Sequence, residues 1–305
     1  MFRTITVGFD GSPESRAAAE WAAREAKMRG TTLKLLHVWE RVPEPIAQAP
    51  RLSGETHRHR SGEIPRDAAE DLRMRHPGVE VKAEDLVGRP SEVLGKSTRS
   101  TELLVLGSRG LSGIGGFLLG SVGLAVVAHT ACPVVLVRAG EQTADRHEMD
   151  PAGIPSPAAP DAPVVLGLDT DRPDPSVIEF AFEAAAARET VLRIVHAWDR
   201  PSYYSYGGAA ELWQYEDLAQ EQAIALTEAL RRWREKYPSV DVAEVSRLGH
   251  AADQLINASR EASLVVVGRR IRRTPFGMHI GPVTHAVLHH AAAPVAVVAH
   301  DWPGA

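Results

Sequence analysis

The chain has 305 residues, 44% of them apolar and 24% charged, with 34 basic against 39 acidic side chains and a net charge of −5. These values describe a soluble globular protein with room for two ordinary domains. They exclude the net basic field of a general nucleic-acid or anionic-membrane binder, and no run of about 18 apolar residues marks a membrane span. The one cysteine, Cys132, has no internal disulfide partner, and Met1 leads straight into a strand pattern without the features of a signal peptide. Both point to the cytoplasm.

Short apolar runs alternate with helical patterns. Ile5–Phe9 reads as a strand. Ser12-Pro13 then opens a helix, serine as N-cap and proline at the first helical position; Ala17, Ala18, Trp21, Ala22 and Ala26 give it an apolar stripe to about Arg29. Leu33–Val38 is the second strand, followed by a polar, proline-rich loop to about Gly62 and a helix to about His76. Val79–Val87, a helix over Pro90–Ser100, and Leu103–Leu106 come next. A glycine loop leads to a helix from Ser121, and Pro133–Val137 closes the series. Continuous apolar strands suit a parallel sheet covered on both faces.

The pattern then repeats. Gly8-Phe-Asp10 matches Gly167-Leu-Asp169 and His37-Val-Trp39 matches His196-Ala-Trp198, both at an offset of 159 residues. Gly88, Gly107, Gly120 and Pro133 match Gly249, Gly268, Gly281 and Pro294 at 161. Register held over so many landmarks marks a duplicated domain. The strands of the second copy read as Val164–Leu168, Val191–Ala197, Val240–Leu248, Leu264–Val267 and Val295–Ala299, with Asp174-Pro175 opening its first helix. The expected fold is therefore α/β, two tandem doubly wound domains, each a five-stranded parallel sheet flanked by helices. We bound them at residues 1–140 and 163–305, with a Pro/Ala-rich linker over 141–162 that carries no apolar period.

One motif distinguishes the copies. Gly107-Ser-Arg-Gly110, nine residues, then Gly120-Ser121 stands between the fourth strand and the fourth helix of the first copy. Glycines allow close backbone approach to an anion, and a helix N-terminus offers unpaired N–H groups with partial positive charge. Such a loop can wrap phosphate. In the second copy the motif reads Gly268-Arg-Arg-Ile271, nine residues, Gly281-Pro282. A branched side chain replaces the second glycine, and proline removes a donor.

Together with Val7-Gly-Phe-Asp10-Gly-Ser, Leu36-His-Val38, Leu119-Gly-Ser-Val122 and Cys132-Pro-Val-Val, the motif resembles the ATP-binding branch of the universal stress protein family in its tandem form. The resemblance covers both repeats. It implies that the first domain binds ATP, with Mg as an optional accompanying ion, at the carboxyl ends of its strands. Asp10 would then sit beside ribose or base, Gly8 would leave room for the nucleotide, and the backbone of Val38 would read the adenine edge. Leu106 and Gly107 would contact the sugar. Gly110, Gly120, Ser121 and Val122 would hold phosphates, with Ser108, Arg109 and Gly113 lining the loop. No metal ligand is assigned; Asp10 and Ser121 are only remote candidates. The second domain, with its degenerate loop, would bind ATP weakly or not at all, although Asp169 keeps the nucleoside side of the pattern.

Plainer roles compete. Asp10 could merely cap a helix. His37 and His196, repeated in both halves, suit packing or hydrogen bonding better than catalysis; Trp39 and Trp198 suit a rim, and Cys132 a small buried position. Thr56-His-Arg-His-Arg60 reads as a solvated loop and His289-His290 as a helix end. Arg269, Arg270, Arg272 and Arg273 read as solvated surface, with binding of an anion by charge rather than by backbone as the alternative. Gly95-Lys96-Ser97 lacks the leading glycine of a P-loop. No nucleophile–base pair accompanies the loop, so any hydrolysis should be slow. The resemblance implies a nucleotide-dependent regulator in stress or dormancy, with a slow ATPase or nucleotide-using transferase, or a scaffold with a vestigial site, as alternatives. The apolar last strands suggest pairing and a homodimer; protein clients are not readable.

Overall fold

The computed structural model describes residues 4–40, 54–110, 117–118, 120–139, 162–199, 211–271 and 280–300. The chain divides into two compact units, Met1–Gln142 and Thr143–Ala305.

The first unit contains β1 (Thr4–Gly8), α1 (Pro13–Arg29), β2 (Thr32–Trp39), α2 (Gly54–Arg75), β3 (Val81–Val87), α3 (Pro90–Ser97), β4 (Leu103–Gly110), β5 (Phe117–Leu118), α4 (Ser121–His129) and β6 (Val134–Arg138). Its parallel sheet has the order β3-β2-β1-β4-β6, with the two-residue β5 antiparallel to the end of β4. The order reverses between β1 and β4, which leaves a crevice beyond their carboxyl ends. The apolar positions of β1 and β4, including Ile5, Val7, Leu103, Leu104 and Val105, are fully buried.

Helix α1 shows how local signals aim an element. Ser12 is the N-cap and accepts from the Ser15 amide at 3.2 Å; Pro13 follows; Gly30 ends the helix at φ 61, a left-handed turn that favours glycine. Its buried face is built of alanines and Trp21, with one charge inside: Glu25, which accepts from Arg29 Nε at 2.6 Å, while Arg29 Nη1 reaches Glu102 at 3.1 Å. Burial works against the Arg29 charge, but Glu25 and Glu102 outweigh it and hold the guanidinium above its ordinary value.

The second unit contains β7 (Val164–Gly167), α5 (Pro175–Ala187), β8 (Leu192–Trp198), α6 (Glu211–Lys236), β9 (Val242–Leu248), α7 (Ala251–Ala258), β10 (Leu264–Arg270), α8 (Pro282–His290) and β11 (Val295–His300). Its parallel strands follow the equivalent order β9-β8-β7-β10-β11.

Several boundaries differ from expectation. Helix α2 begins at Gly54 and runs through Pro65, so Thr56–Arg60 lies in a helix rather than a loop. Its first ten residues carry no apolar period, which hid the helix. Strands β4 and β10 extend to Gly110 and Arg270, so the first residues of the glycine motif are strand. Helix α3 stops at Ser97 and a 3₁₀ turn completes it. Strand β3 is not covered on both faces: Lys82, Ala83, Glu84 and Asp85 are exposed, as suits the last strand of its sheet.

Candidate functional site

In the first unit a cavity of about 300 Å³ opens at the carboxyl ends of β1 and β4. Gly8 and Asp10 reach it from β1 and the turn after it, Val38 from β2, and Leu106 and Gly107 from β4. Gly120, Ser121 and Val122 close it from the start of α4. Eight positions singled out in the sequence therefore share one cavity. Ser108 stands apart from that lining: it is buried and lies in register with Arg138 of β6. Arg109 and Gly110 pair with Leu118 and Phe117 of β5. Gly113 lies outside the described residues, as do Arg272 and Arg273.

The glycines have different physical reasons. A Cβ on Gly107 would fall 2.5 Å from the Glu14 carbonyl carbon and 2.8 Å from the Ser15 nitrogen, so this glycine lets β4 pass against the backbone of α1. A Cβ on Gly8 would meet Leu106 at 2.6 Å, with Leu94 next to it, so side-chain packing fills the space expected for a ligand there. Gly120 has neither constraint. Its φ of −58 suits any residue, and among the described residues nothing lies within 4 Å of an added Cβ. It is the N-cap of α4 without a side-chain cap, and the residues of the first turn of that helix, Ser121 to Gly123, line the cavity.

Asp10 serves the turn as well as the cavity. Its Oδ1 accepts from the Ser12 amide at 3.0 Å and from the Ser12 hydroxyl at 2.5 Å, while Ser12, not Asp10, caps α1. Sequence reasoning missed Glu14 and Ser15 of α1 and Pro90 and Leu94 of α3, which also line the cavity. Only the β–α turn signal Ser12-Pro13 placed α1 close by, and α3 carried no chemical signature. The described charged side chains of the lining are Asp10 and Glu14, both acidic.

The second unit has a cavity of about 460 Å³ at the equivalent place, where smaller residues replace larger ones: Val195 for Leu36, Ala197 for Val38, Ala251 for Pro90. Its chemistry differs. The amide of Ile271, at the position of Gly110, donates to the His300 carbonyl at 2.8 Å. Pro282 replaces Ser121, and the Thr284 hydroxyl donates to the Gly268 carbonyl at 2.8 Å. Arg270 lines this cavity, whereas Arg269 is buried, and burial lowers its guanidinium below the ordinary value; neither is the solvated arginine expected.

The remaining singled-out residues have structural partners. His37 lies 2.7 Å from Asp85, and His196 Nδ1 lies 3.1 Å from the Leu168 carbonyl. Trp198 is buried and donates to the Ser246 hydroxyl at 3.2 Å, rather than forming a rim. Cys132 is half-buried rather than buried, and desolvation pushes its thiol up to about 12. His289 and His290 do end α8.

A doubly wound sheet with a glycine-edged crevice at its reversal point defines a class of small-ligand-binding α/β domain, present here twice. The sequence profile of the universal stress protein family matches residues 1–138 and again 162–299. Universal stress protein Rv2005c of Mycobacterium tuberculosis is 32% identical over 300 residues, covering 96% of each chain. Universal stress protein Rv1996 of the same organism is 32% identical over 315 residues, covering 96% of this chain and 94% of that one. Among solved structures, a universal stress protein from Archaeoglobus fulgidus shares the fold at a TM-score of 0.64 and 18% identity, covering 97% and 98%. The chain belongs to the universal stress protein family, in tandem form. Among the described residues, no helix is long and apolar enough to cross a membrane.

Proposed function

We propose that the first domain binds ATP and that the protein is a nucleotide-dependent regulator of a cytoplasmic stress or dormancy response. The observation that carries this reading is Gly120. Neither its backbone conformation nor packing among the described residues demands a glycine there, and its missing side chain leaves the start of α4, without a side-chain cap, at the cavity. Backbone amides at such a helix end suit phosphate oxygens. At about 300 Å³ the cavity is at the lower end of small-ligand sites.

The described acidic lining, Asp10 and Glu14, bears on the cofactor. A triphosphate beside two carboxylates needs compensating charge. A divalent ion would supply it when bound, with Asp10, Glu14 and Ser121 the side chains nearest to hold it. We therefore assign Mg-ATP rather than free ATP. Occupancy would bias shape, homodimerisation or partner binding through differential affinity for two states. Slow hydrolysis or group transfer is the alternative, and phosphate release over many turnovers, abolished by Gly110→Ile, would favour it.

The second domain binds ATP weakly or not at all in this reading. The Ile271 amide is already bonded and Pro282 has none to give, so two backbone donors at the loop positions are unavailable to a phosphate. Calorimetric titration of the full chain with Mg-ATP tests both halves of the proposal. One site per chain is expected; two equivalent tight sites would remove the asymmetry, and no site would remove the ATP reading.

A further inference from the structure

The cavity of the second domain exchanges backbone donors for side-chain cations. The turn from Asp169 to the N-cap Asp174 is three residues longer than the turn from Asp10 to the N-cap Ser12. The inserted stretch brings Arg172 to the cavity wall. Arg270 joins it from the end of β10, and His300 from the end of β11. Where Gly107 abuts the backbone of α1, Gly268 abuts the His300 ring: a Cβ there would lie 3.1 Å from both Cδ2 and Nε2. The other ring nitrogen, Nδ1, lies 3.4 Å from Asp174 Oδ2, and that carboxylate also accepts from the Ser176 amide at 2.9 Å. A carboxylate fixed by a helix cap thus stands beside the imidazole at the cavity wall.

We propose that this second cavity binds a small organic phosphomonoester of nucleoside-monophosphate size, held through Arg172, Arg270 and His300. The inference rests on the reading of the second domain as a poor ATP site and names what the site takes instead. Side-chain guanidinium groups recognise a terminal dianion by paired, charge-assisted hydrogen bonds. They do not reproduce the row of amides that follows an extended triphosphate tail. The apolar wall of Val195, Ala197, Leu255 and Val283 accommodates the organic body, and Asp169 stands at the position of Asp10. The ligand is therefore chosen by one phosphate and an apolar ring.

The test uses the full chain carrying Gly120→Val, which fills the first cavity, titrated by calorimetry with AMP, ATP, inorganic phosphate and adenosine. AMP is expected to bind at one site per chain, with ATP, phosphate and adenosine each at least tenfold weaker. Adding Arg172→Ala and Arg270→Ala should weaken AMP at least tenfold without moving the melting temperature. In the otherwise unchanged chain, the same two alanines should leave ATP binding to the first domain as it was. AMP binding that ignores both arginines, ATP binding as tight as AMP in the Gly120→Val chain, or phosphate binding as tight as AMP would each overturn the proposal. Arginine-dependent AMP binding in a chain that never binds ATP would sink the first-domain reading and leave this one standing.

Discussion

Gly120→Val separates room for a ligand from the needs of the fold. The backbone at Gly120 suits an L-residue, and an added Cβ meets none of the described residues. The cost to stability is then that of a poorer N-cap, about 1 kcal/mol, or about 2–4 °C in melting temperature for a domain of this size. The cost to binding is larger. The valine methyls would stand before the amides of Ser121 and Val122. A charge-assisted hydrogen bond contributes about 1.5–3 kcal/mol, so loss of two should weaken Mg-ATP by roughly 100-fold or more. Gly107→Ala is the opposite case. Its Cβ would lie 2.5–2.8 Å from the backbone of Glu14 and Ser15, and overpacking of that kind costs about 1–3 kcal/mol. Calorimetry with Mg-ATP and scanning calorimetry of the ligand-free proteins measure the two effects. If Gly120→Val binds Mg-ATP like the parent chain, the start of α4 does not hold phosphate and the reasoning fails.

Arg29→Met should destabilise the first unit by about 3–5 kcal/mol, because Glu25 would stay buried with its ion partner removed; urea unfolding measures this, and substitution of the exposed Arg231 by Ala, which breaks its surface pair with Glu228, should cost under about 1 kcal/mol. His285 titrates below its ordinary value because of burial and then the neighbouring His289 and His290. A depressed folded value means that the unfolded chain binds the proton more readily, so stability falls as pH drops below about 6.5. His285→Gln should therefore raise the melting temperature at pH 5 relative to the parent chain and leave it unchanged at pH 8; an equal shift at both would contradict this. The Cys132 thiol, pushed up to about 12, should react with a disulfide reagent at pH 8 far more slowly than a free cysteine, and reach the free rate only in denaturant. Light scattering should give a dimer mass for the native chain; a monomer at all concentrations removes the homodimer.

The repeat was legible because its landmarks are local. Ser12-Pro13 and Asp174-Pro175 announce helix starts through chemistry carried in two residues, and the buried strands announce themselves as apolar runs. Eight of the cavity's residues were readable for the same reason, lying at strand ends and at one helix start. What was not legible depends on neighbours far along the chain. Glu14 and Leu94 reach the cavity only because α1 and α3 pack where they do. The distinction between Gly107 and Gly120 is invisible in the motif, since both are glycine; only the backbone of α1 beside one and no described residue close beside the other tells them apart. Of the second cavity's cations, Arg270 is visible beside the broken motif, but the others are not. Arg172 sits in an insertion and His300 ends the last strand, so only the fold brings them together. Helix α2 was cut short because polar helical residues give no periodic signal.

The outermost strand of the first sheet carries Lys82, Glu84 and Asp85 in exposed positions, and its counterpart β9 carries Glu244 and Arg247. A foreign strand adding itself there would have to strip water from those charges before gaining a single ladder hydrogen bond. At those two rims, the protein is guarded against turning its own sheets into templates for fibrils.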